Sequence, residues 1–211
     1  MTTRRTGLRE QKKQATRAAL REAALRLALE HGPENVRVDD IADAAGVSPR
    51  TYNNYFSSRE QAIVAAITAE REARIAEEVT AAPAHTSLTD ALTGAILARY
   101  TEPGDTERFL VTATPPLREA FLEAATELEG PLADAIGQRL GDTTTPTAPV
   151  LAAAVAAAVR IALHQWLGTA PAPDRLVIPS GSLPDLLRAA LAPLAPALDA
   201  AEAGSRRRQA G

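Results

Sequence analysis

Residues 38–60 read VDDIADAAGVSPRTYNNYFSSRE, and two short helix patterns in this stretch are separated by a glycine turn. The first pattern stops at Gly46, because glycine tolerates the left-handed backbone that commonly follows a helix. Ser48 is a good N-cap and Pro49 suits the first helical position after it, so a second helix is predicted over about residues 49–55. The stretch therefore predicts a helix-turn-helix, in which two short helices are joined by a tight turn.

The predicted second helix carries polar side chains where a core helix would carry apolar ones. Arg50 and Asn53 are three residues apart and share a helix face, which Asn54 extends. In a helix-turn-helix the second helix lies in the major groove of DNA, where Arg pairs with guanine and Asn with adenine. These three side chains are the candidates for sequence readout. The alternative for each one, taken alone, is an ordinary polar or charged residue at the surface.

Aromatic residues are rare in this chain, with three Tyr, three Phe and one Trp, yet Tyr52, Tyr55 and Phe56 all lie in this stretch. We expect Phe56 to be buried and to anchor the second helix. We expect the hydroxyls of Tyr52 and Tyr55 to donate to phosphate oxygens while their rings brace the helix. Half-buried packing is the alternative for Tyr55, and Thr51 is expected to contact a phosphate or a thymine methyl group.

Composition favours an all-α protein, because Ala dominates the 45% hydrophobic fraction and aromatic residues supply only 3%. The chain has no Cys, which excludes disulfides and thiolate chemistry and fits a reducing compartment. The charged N-terminus lacks the apolar segment of a secretory signal, and the longest apolar run, residues 149–159, is stopped by Arg160. We therefore expect a cytoplasmic protein that does not enter a membrane.

Charge is distributed unevenly along the chain, although the net charge is only −3. Residues 1–26 carry eight Lys or Arg and two Glu, whereas residues 75–211 carry ten Arg and sixteen acidic residues. A basic N-terminal arm on an acidic body suggests that one end of the protein meets a polyanion. A solvated, disordered basic tail is the alternative.

Helical spacing of apolar residues predicts further helices on both sides of the turn. The predicted helices lie at about residues 9–31, 39–45, 49–55, 57–79, 87–100, 105–114, 117–128, 132–140, 150–167 and 183–191. Loops are predicted at residues 141–149 and 168–182.

The motifs of common enzymes are missing from the sequence. It has no glycine-rich phosphate loop, no H-E-x-x-H and no G-x-S-x-G. His31, His85 and His164 are scattered and suggest no metal site. A helical interaction module with a vestigial helix-turn-helix is another alternative, but the basic residues at positions 12, 13, 17, 37, 50 and 59 argue against it.

Residues of about 12–60 resemble the DNA-binding domain of the TetR family of bacterial transcriptional repressors. The resemblance rests on residues 38–48 (VDDIADAAGVS), on Thr51, on Tyr55-Phe56 and on Ser58-Arg59-Glu60. It implies that Thr51 and Tyr55 contact the DNA backbone, that Arg59 binds phosphate and that Arg17 can reach the backbone.

This chain departs from the family pattern at three positions. Ala28 replaces an aromatic residue that is common late in the first helix, so packing there is expected to be thinner. Arg50 stands where the family often has Gly, which suggests a specificity residue of this branch. Arg37 stands where the family often has Thr, which removes a side-chain cap and adds a possible phosphate contact. The complete set of predicted DNA-binding residues is Arg17, Arg37, Ser48, Pro49, Arg50, Thr51, Tyr52, Asn53, Asn54, Tyr55 and Arg59.

The resemblance also implies a function for the rest of the chain. In this family the C-terminal helical domain binds a small-molecule effector and forms a homodimer, which binds a palindromic operator in double-stranded DNA. The implied organisation is a basic flexible arm (1–11), a helix-turn-helix domain (12–60), a connecting helix (61–80), a helical ligand-binding and dimerisation domain (81–202) and a disordered tail (203–211). The implied activity is that of a ligand-responsive repressor, with an activator as the alternative.

The dimer interface is expected on the helices at 150–167 and 183–191, which would form four helices across a twofold axis. No cofactor is expected beyond the effector. Residues 114–140 and 159–168 further resemble a mainly actinobacterial subgroup, some of whose members respond to acyl-CoA thioesters. An acyl-CoA or another apolar molecule is therefore the expected effector. Arg118, Phe121 and Trp166 are candidates for its pocket, with core packing as the alternative for the two aromatic residues.

Overall fold

The structure, a computed structural model, describes residues 3–100, 114–168 and 182–209. All regular secondary structure in these ranges is helical, which confirms the all-α prediction. The chain divides into two compact units. The first holds Met1–Ala69 and Thr106–Phe121, and the second holds Glu70–Asp105 and Leu122–Gly211.

The first unit contains the predicted helix-turn-helix. Its helices are α1 (Thr3–His31), α2 (Val38–Ala44), α3 (Pro49–Tyr52) and the beginning of α4 (Arg59–Ala81). Helix α1 packs against α2, and α2 packs against α3. The fully buried side chains of this unit include Leu20, Ala24, Ile41, Ala42, Tyr52, Ala62 and Ile63.

The second unit is built around one long apolar helix. The remaining helices in chain order are α5 (Leu88–Tyr100), α6 (Pro115–Ala124), α7 (Glu129–Leu140), α8 (Thr147–Gly168), α9 (Leu183–Leu191) and α10 (Ala195–Gln209). Helix α8 has the most extensive packing, against α7 on one side and α9 on another. Helix α10 contacts α5, α7 and α8. Buried Val155, Val159 and Leu163 form the core side of α8.

The largest differences from the predicted boundaries are at the two ends of the chain. We expected a flexible arm over residues 1–11, but α1 begins at Thr3. The Arg, Leu, Glu and Gln residues of this segment are good helix formers, and the isolated Gly7 does not end the helix, which continues to His31. The predicted helix at 105–114 and the predicted loop at 168–182 lie almost entirely outside the described residues.

The expected disordered tail at 203–211 is helical as far as Gln209, where α10 ends. Pro196 lies in the first turn of α10, where its missing N–H breaks no helical hydrogen bond. The buried Ser205 hydroxyl donates to the carbonyl of Leu140, and Arg208 lies 3.5 Å from Asp142. These contacts tie the end of α10 to α7 and to the loop that follows it.

Helix α8 is longer than the apolar run that we expected Arg160 to terminate. The segment Thr147–Leu167 is long and apolar enough to cross a membrane by length and composition alone. However, 50% of its most apolar window is buried inside the protein, as in the core helix of a soluble protein.

The loop between α7 and α8 is organised by one carboxylate. Asp142 accepts hydrogen bonds from the backbone N–H groups of Thr144 at 3.0 Å and Thr145 at 3.2 Å, and from both threonine hydroxyls. The two backbone N–H groups, followed by the Thr145 hydroxyl, lower the pKa of Asp142 to about 2. The ionised carboxylate therefore stabilises this loop.

We expect Asp142→Asn to lower the thermal melting temperature at pH 7, because an amide oxygen is a weaker acceptor than a carboxylate. Because the folded-state pKa is lowered, the carboxylate's contribution is present above its unfolded pKa of 3.8 and is lost as the pH falls towards 2. The difference in melting temperature between the two proteins should therefore shrink once the pH falls below about 4 and should be smallest near pH 2. Asp134→Asn, on the exposed surface of α7, is the control. A difference in melting temperature that persists unchanged at low pH would contradict this role.

Candidate nucleic-acid interface

The turn after α2 has the geometry that the sequence predicts. Gly46 has φ of +68°, in the left-handed region. Its N–H donates to the carbonyl of Asp43 at 3.0 Å, and the N–H of Val47 donates to the carbonyl of Ala42 at 2.9 Å. This pair of bonds is a Schellman motif, which satisfies the last carbonyls of α2 and reverses the chain.

The start of α3 is capped by a side chain, as predicted. The Ser48 hydroxyl accepts a hydrogen bond from the backbone N–H of Thr51 at 3.1 Å and lies 2.9 Å from the Thr51 hydroxyl. Pro49 occupies the first helical position. This cap fixes where α3 begins, and therefore which side chains point away from α2.

Helix α3 is shorter than the predicted 49–55. It ends at Tyr52, and Asn53 N–H still bonds to the carbonyl of Pro49. The following two amides, of Asn54 and Tyr55, bond to carbonyls three residues back, those of Thr51 and Tyr52. The chain thus tightens into a turn after one helical turn. Arg50, Asn53 and Asn54 are all exposed on this segment, so the structure keeps the three candidate readout residues together at the surface.

The prediction for Tyr52 is wrong. Its side chain is fully buried and its hydroxyl donates to the carbonyl of Ser58 at 2.7 Å, so it has no free hydroxyl for a phosphate. Burial, followed by the negative charge of Glu60, raises the pKa of Tyr52, which keeps the phenol protonated as a donor. Tyr52 therefore fastens α3 to the start of α4.

Phe56 confirms the predicted anchor. It is 2% exposed, and its ring centroid lies 5.8 Å from that of Tyr52. The guanidinium carbon of Arg17 lies 5.7 Å from the centroid of the same ring, which is cation–π distance. Arg17 is thus positioned on α1 by a buried aromatic residue, and its contact with the DNA backbone stays a prediction.

Arg59 has partners that the sequence does not reveal. Its Nη1 donates to the carbonyls of Glu34 at 2.9 Å and Val36 at 2.7 Å, and its Nε donates to Glu60 at 2.7 Å. Burial would raise the pKa of Glu60, but the hydrogen bond from Arg59 and further bonds outweigh it and lower that pKa. Arg59 therefore ties the start of α4 to the segment before α2, and its phosphate contact stays a prediction.

Sequence reasoning missed a second cap, at the start of α4. The Ser58 hydroxyl accepts a hydrogen bond from the backbone N–H of Gln61 at 3.1 Å, and the Gln61 side chain accepts one from the N–H of Ser57 at 2.7 Å. The spacing S-x-x-Q is a capping-box signature and would have identified this pair. With Arg59, these residues fix the direction in which α4 leaves α3.

Charged residues at the surface of this unit are of both signs. Lys12, Lys13, Arg37 and Arg50 are exposed. Arg37 precedes α2 without a side-chain cap, as its departure from the family pattern predicts. Exposed Asp39 and Asp40 lie in the first turn of α2, where carboxylates favour the positive end of the helix dipole.

The candidate effector residues lie in both compact units, and their role in an effector pocket stays a prediction. Arg118 is half-buried and Phe121 is buried in the first unit, whereas Trp166 is half-buried in the second. A surface groove of about 560 Å³ in the second unit is lined by Ala76, Glu77, Thr80, Ala81, Pro131, Asp134, Ala135 and Gln138. Its two carboxylates make it a poor site for the anionic head of an acyl-CoA. No group of His, Asp or Glu residues in the described ranges is suited to a metal ion.

Two helices joined by a glycine turn, with a capped and polar second helix at the surface, define the class of helix-turn-helix DNA-binding proteins. The profile of the family described as "Bacterial regulatory proteins, tetR family" matches residues 20–66, from within α1 to within α4. The HTH-type transcriptional regulator TcmR of Streptomyces glaucescens is 34% identical over 175 residues, covering 76% of each chain. The chain belongs to the TetR family and is a DNA-binding transcriptional regulator, not an enzyme.

A solved structure described as a TetR-family transcriptional regulator from Rhodococcus sp. is also similar. It covers 88% of this chain and 99% of its own, with 22% identity and a TM-score of 0.42. At that TM-score the likeness adds nothing to the family assignment.

We expect Tyr52→Phe to lower the free energy of unfolding by about 1–3 kcal/mol, because it leaves the Ser58 carbonyl without its donor. Urea denaturation measures this loss. DNA affinity should be unchanged at temperatures where the variant is folded. Tyr55→Phe is the matched control, because its half-buried side chain is expected to contact phosphate: its stability should hold while DNA affinity falls. A loss of DNA affinity in Tyr52→Phe together with a loss of stability in Tyr55→Phe would contradict the roles given to these two residues.

Proposed function

We propose that this regulator is a cytoplasmic repressor, which binds a palindromic operator as a homodimer and is released from it by a small-molecule effector. The observation that carries the proposal is the exposed set of Arg50, Asn53 and Asn54 on a segment held by the Ser48 cap and the Tyr52 bond. Rigid presentation of Arg and Asn side chains suits base readout, because bidentate pairing requires a fixed geometry.

Phosphate contacts would come from the residues around this readout segment. Arg37 lies at the start of α2, and Thr51 and Tyr55 flank the exposed face of α3. The exposed Lys12 and Lys13 of α1 add positive charge. Such contacts position a protein on the duplex and carry no direct sequence information.

The proposed homodimer is supported by an uncovered apolar face on α8. Val150 is 63% exposed and Ile161 is 49% exposed, and half-buried Ala154 and Ala157 lie between them at helical spacing. Helix α9 packs beside α8 and adds half-buried Leu186. Two helices from each protomer would thus bury these side chains in a four-helix interface and carry two recognition segments to half-sites roughly 34 Å apart.

Release by an effector requires that the effector bind two states of the dimer with different affinity. The proposal is that the second unit holds the effector in the state whose α3 segments do not match the half-site spacing. Repression would follow if the operator overlaps a promoter, whereas another operator position would give activation.

The DNA-binding roles are tested by gel shift on DNA upstream of the protein's own coding region. We expect Arg50→Ala to cost about 1–3 kcal/mol on the cognate site and to relax sequence preference at one position. Arg37→Ala is the matched control, because loss of a phosphate contact should weaken all sequences alike and lower the salt dependence. Unchanged preference in Arg50→Ala would refute base readout by Arg50, and absence of binding at low salt by the wild type would refute the proposed operator.

The homodimer is tested by a charge on the exposed face of α8. We expect Ile161→Arg to convert the dimer into a monomer in sedimentation velocity, because a buried unpaired charge is strongly unfavourable at an interface. Leu29→Arg is the matched control, since Leu29 is 56% exposed but lies on α1. A dimer that survives Ile161→Arg would place the interface elsewhere.

A further inference from the structure

The surface groove of the second unit is bounded by α4 on one side and α7 on the other. Its volume of about 560 Å³ lies within the range of small-molecule sites in proteins. The residues that line it come from positions 76–81 of α4 and 131–138 of α7, all within the second unit. The shape of the groove therefore depends on packing inside one compact unit.

The two helices beside the groove are fastened to each other by Arg139, which follows the lining residue Gln138 in α7. The side chain of Arg139 is only 10% exposed. Its Nη1 donates to the carbonyls of Val79 at 3.3 Å and Ala82 at 2.8 Å, at the end of α4. Glu202 lies 3.9 Å from its Nη2 and supplies a countercharge. Arg139 thus holds α4 and α7 together, and its positive charge is balanced from within the fold.

The apolar part of the groove is aliphatic. It consists of Ala76 and Ala81 from α4 and of Pro131 and Ala135 from α7. None of the described residues that line the groove is aromatic, so it offers methyl and methylene groups but no π face. Apolar surface of this kind is covered favourably by an aliphatic chain, because both surfaces are removed from water.

The polar groups that line the groove are mostly hydrogen-bond acceptors. Glu77 of α4 and Asp134 of α7 are exposed carboxylates from the two sides of the groove. The Thr80 hydroxyl already donates to the carbonyl of Ala76 at 2.9 Å, so its oxygen is left to accept. Gln138 adds an amide that can donate or accept. The groove therefore favours a ligand that donates hydrogen bonds.

The charge of the groove is negative, and its two carboxylates are compensated to different degrees. Arg74, one turn before Glu77, donates two hydrogen bonds to Glu70, and its charge also acts on Glu77. Asp134 has no hydrogen bond or ion pair with another residue in the part of the chain that the structure describes. A cation in the groove would therefore gain most at Asp134.

We infer that this groove binds a primary alkylammonium ion, whose chain covers the alanine and proline residues and whose N–H groups donate to Asp134, Glu77 and the Thr80 oxygen. A quaternary ammonium ion carries the same charge but has no N–H, and it binds best against aromatic faces, which the lining residues lack. The inference goes beyond the proposed repressor activity and does not depend on it, because binding is measured without DNA.

The test follows the amide resonances of the isotope-labelled whole chain by NMR during titration with one of three probes that share an octyl chain. The probes are octylammonium, octyltrimethylammonium and octanesulfonate. We expect octylammonium to shift residues 76–81 and 131–138 in a saturable way, octyltrimethylammonium to bind more weakly at the same residues, and octanesulfonate to leave them unchanged. Added salt should weaken the binding of octylammonium, because the carboxylates are exposed.

Variants of the lining residues separate the charge of the groove from its shape. Asp134→Asn should lower the affinity for octylammonium about threefold, and its combination with Glu77→Gln about tenfold, since each exposed ion pair contributes little. Ala76→Leu keeps both carboxylates, fills part of the groove and should also weaken binding. Glu123→Gln is the matched control, because Glu123 is an exposed carboxylate on α6 that does not line the groove.

The inference is overturned if octanesulfonate binds at these residues as tightly as octylammonium, or if octylammonium shifts only other amides, such as those of the exposed face of α8. An equal loss of affinity in Glu123→Gln and Asp134→Asn would also overturn it, because the net charge of the protein would then explain binding. Equal affinity for octyltrimethylammonium would overturn the role given to the N–H donors. If Ala76→Leu does not fold, Asp134→Asn decides.

Discussion

The left-handed backbone at Gly46 is the constraint on which the DNA-binding unit depends. Its φ of +68° lets the turn satisfy the last carbonyls of α2 and deliver the chain directly to the Ser48 cap. A residue with a Cβ would find open space there but would strain the backbone by about 1–2 kcal/mol. Helix α3 is a single turn and cannot be stable alone. The turn before α3 and two buried aromatic residues therefore fix its position. Tyr52 is the last residue of α3, and Phe56 follows it in the chain.

Much of this unit could be predicted from the sequence because its turn and cap depend on neighbouring residues. The features that were not predicted depend on hydrogen-bond partners that the sequence does not reveal. Gly46, Ser48 and Pro49 act through bonds to residues a few positions away, so their spacing alone identifies the turn and the cap. The Tyr52 hydroxyl and Nη1 of Arg59 donate to backbone carbonyls, which have no sequence signature. An aromatic residue among polar neighbours can either pack in the core or contact DNA. Burial distinguishes Tyr52, whose hydroxyl donates to the Ser58 carbonyl, from half-buried Tyr55. The same limit applies to α10, whose order depends on contacts with Leu140 and Asp142.

Helix α8 shows that burial, rather than hydropathy, divides an alanine-rich helix into different faces. Val155, Val159 and Leu163 are buried, whereas Val150 and Ile161 are exposed, although all five side chains are aliphatic. Hydropathy averaged along the helix does not separate these two faces. By length and composition alone, the helix could cross a membrane. One side of α8 packs in the core of the second unit, whereas the other is exposed among the residues that the structure describes.

Both ends of α4 are held by arginine side chains that donate to main-chain carbonyls. At the start of the helix, Arg59 binds the carbonyls of Glu34 and Val36. At its end, Arg139 of α7 binds the carbonyls of Ala82 and Thr86. Every amino acid supplies the same carbonyl, so substitutions at Glu34, Val36, Ala82 or Thr86 leave these acceptors in place. The side chains at these four positions can therefore change without loss of the bonds that hold the two ends of α4. Substitution of either arginine, by contrast, removes the hydrogen bonds at that end of the helix.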